Sequence, residues 1–222
     1  MRGRFITFEG GEGVGKSTQI RRLVERLKVE GVPAVATREP GGSHRAEALR
    51  SSVLSGSAKA YGPLAEAVMF SAARLSHLDE TIRPALARGD WVLSDRFADS
   101  TRAYQGVLGE LEPRLVTALE RVVVGDEHPD LTFVLDAPAA VGLRRAASRR
   151  RADGEAADRF EAETEPFHER LRQAFLEIAS SEPTRCVVID ADREPDAVEG
   201  EIWAVVEARL KGPGVRPTGR PA

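Results

Sequence analysis

A single cysteine, Cys186, leaves no internal disulfide to staple the chain, and four scattered histidines (His44, His77, His128, His168) lack metal-ligand spacing. No apolar run reaches about 18 residues, and Glu9 with its following glycines interrupts the only early apolar stretch. Neither a membrane span nor a secretory leader is expected, and a cytoplasmic address follows as the expectation. Lysine is scarce as well: Lys16, Lys28, Lys59 and Lys211 are four of 32 basic residues, so a lysine carries more information here than an arginine. With 35 acidic residues the net charge is -3, which argues against a protein that coats nucleic acid or an anionic membrane. Any polyanion it binds should be small.

The 222 residues, 41% hydrophobic with 20 glycines, suit one large globular domain. Phe5-Ile6-Thr7-Phe8-Glu9 reads as a strand running into the glycine turn Gly10-Gly11-Glu12-Gly13-Val14-Gly15. Ile20, Leu23, Val24 and Leu27 then recur at helical spacing between Ser17 and Glu30, and Gly31 with Pro33 ends the pattern. The alternation repeats: strand 34–37, helix 46–54, a long helical stretch 64–86 interrupted near Pro84, and strand 91–94. Strands 131–135 and 186–189 follow, each leading through an acid into a helical pattern. Five apolar strands separated by helices predict an α/β fold with a five-stranded parallel sheet covered on both faces. Arg149-Arg150-Arg151-Ala152-Asp153-Gly154-Glu155, between helical patterns 141–147 and 167–178, is too charged for the core and reads as an exposed loop, a candidate mobile lid spanning about 148–163. The single domain is expected to run from 1 to 211, and the aperiodic, Pro- and Gly-rich segment 212–222 to be a disordered tail.

The strongest motif is Gly10-x-x-x-x-Gly15-Lys16-Ser17, set between a strand and a helix. Its glycines let backbone N–H groups turn toward one anion, the helix start presents unpaired donors, and Lys16 adds a point charge. Gly10, Gly11, Glu12, Gly13, Val14, Gly15, Lys16, Ser17 and Thr18 are therefore the expected ATP-binding residues. Ser17 could hold Mg2+. Trp91-Val92-Leu93-Ser94-Asp95 is an apolar strand ending in an acid, as a second Mg2+ ligand would be, although Asp95 could equally cap a helix or pair with Arg96.

Six motifs occur in order: Phe8-Glu9-Gly10 before the phosphate loop, Thr37-Arg38-Glu39-Pro40-Gly41-Gly42, Met69-Phe70-x-Ala72-Ala73-Arg74, Asp95-Arg96-Phe97, Ser100-Thr101-x-Ala103-Tyr104-Gln105-Gly106 and Asp158-Arg159-Phe160-Glu161. The set resembles that of bacterial thymidylate kinases, which implies a P-loop nucleoside monophosphate kinase fold. It also implies transfer of the ATP γ-phosphoryl group to dTMP for dTTP synthesis, and a homodimer. Carried over, the resemblance makes Arg38 and Arg96 clamps on the dTMP phosphate and puts Glu9 near the sugar and metal. Phe70 would lie against the thymine face, Arg74 on the base edge, Ser100 and Thr101 beside the base, and Tyr104 and Gln105 around the deoxyribose. The chemistry suits a nucleotide: guanidinium forks match a phosphate, and an aromatic face with a polar edge contact matches a planar base. On burial statistics alone, Phe70 and Tyr104 would read as core aromatics.

Gly13 and Val14 leave the phosphate loop without a basic residue of its own, so the resemblance is to the type whose lid supplies catalytic cations: Arg149, Arg150, Arg151 and Arg159 beside Lys16 and Arg96. Two other readings exist. One is a kinase for another nucleoside monophosphate or for a nucleoside, the latter with Glu9 as the base aimed at a sugar hydroxyl. The other is a nucleotide-binding switch without transferase activity; against it, the sequence shows no Asn-Lys-x-Asp guanine-selecting motif, and its paired arginine motifs would be left without a purpose.

Overall fold

β1 (Phe5–Glu9) is buried along its whole length and forms the middle of a five-stranded, all-parallel sheet in this computed structural model, which describes residues 2–154 and 157–211. The other strands are β2 (Ala34–Arg38), β3 (Trp91–Asp95), β4 (Leu131–Asp136) and β5 (Cys186–Asp190), in the order β2-β3-β1-β4-β5. Register is set by side chains that alternate between two covered faces. Ile6, Phe8, Leu93, Leu131 and Phe133 pack against α1 (Lys16–Val29) and α9 (Pro195–Val206). Phe5 and Val92 point the other way, onto Leu78, Ile82 and Leu86, and each such fully buried side chain stabilises the fold by about 1.5–3 kcal/mol. Thr7 and Thr132, paired across β1 and β4, satisfy each other through a 2.7 Å hydroxyl contact.

α2 (His44–Leu54) starts at Ser43, whose hydroxyl accepts from the Ala46 N–H at 3.3 Å. α3 (Gly62–His77) continues through a π-helical turn, Leu78–Ile82, into α4 (Arg83–Arg88). The break expected near Pro84 thus falls in the turn before it, because the proline lacks an N–H and its ring would strike the carbonyl four residues back. α5 (Ala98–Thr101) likewise runs into a π-helical segment, Arg102–Leu108, and α6 (Pro113–Val123) follows; neither is evident from the sequence pattern.

One expectation is corrected. Arg149–Arg151 are the last turns of helix α7 (Ala139–Asp153), which ends at Gly154 in the left-handed conformation. Alanine and arginine are good helix formers, and these turns lie on the surface, so they carry no apolar stripe to announce them. Within the segment 148–163, residues 148–153 are helical, 155 and 156 lie outside the described residues, and 157–163 lead to α8 (Glu165–Ser181). The expected tail 212–222 also lies outside the described residues.

Candidate active site

The order β2-β3-β1 makes the carboxyl ends of β1 and β3 the place where the chain switches direction across the sheet, the usual position for a ligand crevice. A cavity of about 380 Å³ opens there, within the size range of small-ligand sites. Its floor is the phosphate loop, whose Gly13 has φ +67°, and a Cβ there would stand 2.0 Å from the Gly142 carbonyl oxygen. Conversely, a Cβ on Gly142 would lie 2.2 Å from the Glu12 carbonyl oxygen. Two glycines 129 positions apart therefore let α7 and the loop touch backbone to backbone.

Gly15 caps α1 without a side-chain partner, so the first N–H groups of that helix remain free for an anion. Lys16, 7% exposed, folds back and donates to the Gly10 and Gly11 carbonyls at 3.1 and 2.6 Å. Burial and the Arg96 charge lower its pKa, against Asp95, Glu12 and Glu9. The Ser17 hydroxyl donates to Asp95 Oδ2 at 2.7 Å, bringing two hard oxygen donors together at the end of β3.

Arg96 ties the loop to the opposite wall. Its backbone takes φ +70°, unusual for a side-chain-bearing residue, and is held by an N–H bond to the Phe8 carbonyl at 2.9 Å. The guanidinium donates to the Gly10 carbonyl (3.1 Å), the Ser100 hydroxyl (3.2 Å) and Glu12 Oε1 (2.6 Å), and lies 5.3 Å from the centre of the Tyr104 ring. Burial opposes its charge, but Tyr104, Glu12, Asp95 and Glu9 raise its pKa further. Burial would likewise raise the Glu12 carboxyl; Arg96, Lys16 and the Tyr104 hydroxyl, which donates at 2.9 Å, instead hold it at about 2.

That opposite wall comes from α3 and α5 with the π-helical segment after it. Phe70 and Arg74 stand one turn apart on α3. Arg74 donates to Glu39 (2.8 Å), the Phe97 carbonyl (3.0 Å) and the Thr101 hydroxyl (3.1 Å). Ser100, Tyr104 and Gln105 complete that side. From the segment between α7 and α8, Phe160 places its ring 5.0 Å from Tyr104 and 6.3 Å from Phe70.

The Thymidylate kinase family model matches residues 8–202 of the chain. The chain belongs to the thymidylate kinase family. It is 56% identical over 209 residues to the thymidylate kinase of Bradyrhizobium diazoefficiens, covering 94% of this chain and 91% of that one. To the Nitrobacter winogradskyi thymidylate kinase it is 58% identical over 209 residues, covering 94% and 90%. The crystal structure of thymidylate kinase from Ehrlichia chaffeensis is similar with a TM-score of 0.73 and 33% identity, over 93% of this chain and all of that one.

Of the residues expected from the resemblance to this family, Glu12, Gly13, Gly15, Lys16, Ser17, Thr18, Arg38, Phe70, Arg74, Asp95, Arg96, Ser100, Thr101, Tyr104, Gln105 and Arg149 line the one cavity. Gly10, Gly11 and Val14 lie on the back of the loop, against β4 and α7. Glu9 is fully buried and does not line the cavity; it accepts from the Phe97 N–H (2.8 Å) and the Ser100 hydroxyl (2.7 Å). Burial and the Asp99 charge push its pKa up to about 7 despite Arg96 and those two bonds. Arg150 is held by Glu161 at 2.8 Å, Arg151 donates to Ser148 at 3.3 Å, and Arg159 turns to Glu66; none of these three lines the cavity. Arg38 lines it while bonded to Glu47 at 2.9 Å.

Eight further residues line it: Glu39, Pro40, Arg50, Leu54, Phe97, Asp158, Phe160 and Glu161. Glu39, Pro40, Asp158, Phe160 and Glu161 sit inside the six sequence motifs, so only their orientation was hidden. Arg50, which donates to the Pro40 carbonyl at 2.6 Å, had no motif to mark it among many arginines.

Proposed function

We propose that this chain transfers the γ-phosphoryl group of ATP to dTMP, giving dTDP and ADP. The observation that carries this reading is Arg96, whose one guanidinium bonds a phosphate-loop carbonyl on one side and the Ser100 hydroxyl of the acceptor wall on the other. A cation so placed lies between donor and acceptor phosphates, where charge builds in the transition state. Lys16 leaves its two loop carbonyls to meet the ATP phosphates, an exchange its N–H donors make without loss of bond number. The acceptor is already an anionic phosphate oxygen, so positioning and charge neutralisation carry the catalysis.

Ser17 and Asp95 fit Mg2+, which is held in such sites by one or two carboxylates, a hydroxyl and the substrate phosphates. Among the described residues no group of three or more His, Cys, Asp or Glu is placed to hold a metal, in keeping with an ion shared with ATP. Bound there, Mg2+ would neutralise charge between the β- and γ-phosphates.

Arg149 is the lid arginine best placed to serve the transferring group, being the one of the four that lines the cavity. The sealed carboxylate of Glu9 favours a monophosphate over a nucleoside, since it aims no base at a sugar hydroxyl. Exposed Leu64, Val68 and Leu75, on one stripe of α3, support a homodimer through that face.

A coupled ADP-release assay across the common monophosphates and thymidine tests the reading. The expected order is dTMP first, dUMP weaker by about tenfold through its missing methyl, and dCMP and UMP far weaker. Turnover of thymidine without turnover of dTMP overturns it.

A further inference from the structure

Behind the acceptor wall lies a buried relay with no part in phosphate handling. Thr37 Oγ1 is 2.6 Å from His77 Nε2; His77 Nδ1 is 3.1 Å from Glu39 Oε1; and Glu39 Oε2 takes the Arg74 Nε–H at 2.8 Å. His77 is fully buried, and Glu39 and Arg74 are 7% and 4% exposed, yet both of the latter reach the cavity. A carboxylate only accepts, so Nδ1 carries a proton and donates to Glu39, while Nε2 on the other side of the ring is bonded to the Thr37 hydroxyl. Gly42 covers the outer bond. A Cβ there would lie 2.5 Å from both His77 Nε2 and Thr37 Oγ1, and the Gly42 carbonyl is pinned by the Thr81 hydroxyl at 2.7 Å.

We infer that His77, itself outside the cavity, is a positioning residue that sets base selectivity by holding the Glu39 carboxylate, and through it Arg74, in one orientation. The inference rests on the dTMP kinase reading. With Oε2 on Arg74 and Oε1 on His77, the Glu39 carboxylate is held at both oxygens, which fixes the plane in which the Arg74 guanidinium meets the cavity. A pyrimidine with a carbonyl at the edge position is accepted, while one with an exocyclic amine meets donor against donor. Without His77 the Glu39 carboxylate is free to turn, so that an oxygen can swing toward the cavity and take that amine, and Arg74 loses the far anchor of its carboxylate. Thr37 acts one step further out: its hydroxyl holds the far side of the ring and so keeps Nδ1–H turned toward Glu39.

The experiment compares wild type, His77→Phe, His77→Asn and Thr37→Val by steady-state kinetics with dTMP and dCMP, with ADP affinity and Tm as measures of an intact fold. His77→Phe should raise KM for dTMP while largely keeping kcat, and cut the dTMP-to-dCMP ratio of kcat/KM by about tenfold or more. His77→Asn, whose amide sits near the place of Nδ1–H, should restore most of the ratio. Thr37→Val, which leaves the half-buried site filled, should shift the ratio in the same direction by less. A ratio unmoved in a folded His77→Phe protein overturns the inference, as does His77→Asn behaving no better than His77→Phe. Should His77→Phe fail to fold, an unmoved ratio in Thr37→Val overturns it instead. A wild-type protein inactive on dTMP overturns the functional reading itself and the inference with it, whereas an active, selective wild type with unselectively slowed variants overturns the inference alone.

Discussion

Arg159 Nη1 donates to Glu66 Oε1 at 2.5 Å, joining the segment between α7 and α8 to α3. Gln105 shares the other Glu66 oxygen at 3.3 Å, and the Arg159 guanidinium packs 4.1 Å from the Phe160 ring. On the proposed function this contact separates two arginines: Arg159 is latched to Glu66, whereas Arg149, bonded to Glu161 at 3.3 Å, lines the cavity where the transferring phosphate would lie. Arg149→Ala should therefore lower kcat by about 10²-fold or more with little change in KM for dTMP. Arg159→Ala and Glu66→Gln should mainly raise KM for dTMP, and their combination should be non-additive. Steady-state kinetics with both substrates varied decides it; equal kcat losses at Arg149 and Arg159 would show that the latch opens during turnover.

The Gly13–Gly142 approach carries a second expectation. Gly142→Ala must push its new methyl into the Glu12 carbonyl, displacing the loop from the helix that supports it at a cost of about 1–3 kcal/mol. ADP affinity should fall accordingly while the sheet survives. Gly200→Ala, in α9 with open space around the added carbon, is the control and should raise stability by about 0.4–1 kcal/mol. Calorimetric ADP titration and thermal melts of the two variants give the answer, and equal ADP affinity in both would dismiss the loop-support role.

The contrast between these features shows what sequence can carry. The five strands are legible because their residues are apolar on both faces, and the phosphate loop because its glycines, lysine and serine recur at one fixed spacing. Gly142 is silent, since a glycine that serves a contact 129 positions away carries no local signature. Arg149–Arg151 resemble a loop because a charged surface helix and a charged loop share composition. Within the site, residue identity is legible for Arg74 and Tyr104 through their motifs. The partners that aim them, His77 through Glu39 and Glu12 beneath Tyr104, are set only by how α3 and the phosphate loop pack.

Glu9 makes stability depend on pH in a direction unusual for a carboxylate. Its folded pKa is about 7 against an ordinary 4.5, through burial first and Asp99 second. Its contribution is thus fully present below pH 4.5 and is lost as pH rises to 7, by about 3 kcal/mol in all. Glu12, held at about 2, works oppositely: its stabilisation is present above 4.5 and lost only as pH falls toward 2, so the two windows do not overlap. Glu9→Gln, which still accepts from the Phe97 N–H and can donate to the Ser100 oxygen, removes the Glu9 window. The unfolding free energy of wild type minus Glu9→Gln should therefore decline between pH 4.5 and 7 and level off above; a flat difference would place the ionised carboxylate in the native state throughout.

Tyr104 separates ring from hydroxyl. The phenol oxygen donates to Glu12 Oε1 at 2.9 Å, an oxygen that also takes the Arg96 Nη2 donor at 2.6 Å, so deleting it leaves Glu12 paired. The ring fills the space between Phe160 at 5.0 Å and the Arg96 guanidinium at 5.3 Å, where the proposed deoxyribose would leave no room for a 2'-hydroxyl. Tyr104→Phe should cost about 1 kcal/mol of stability and keep the preference for deoxyribose. Tyr104→Ala should open the space, lowering kcat/KM for dTMP while narrowing the gap between dUMP and UMP by about tenfold. Because dUMP and UMP share a base, their ratio isolates the sugar. A Tyr104→Phe protein that accepts UMP as readily as dUMP would assign the discrimination to the hydroxyl and its bond to Glu12, and a Tyr104→Ala protein with an unchanged ratio would move it off this residue altogether.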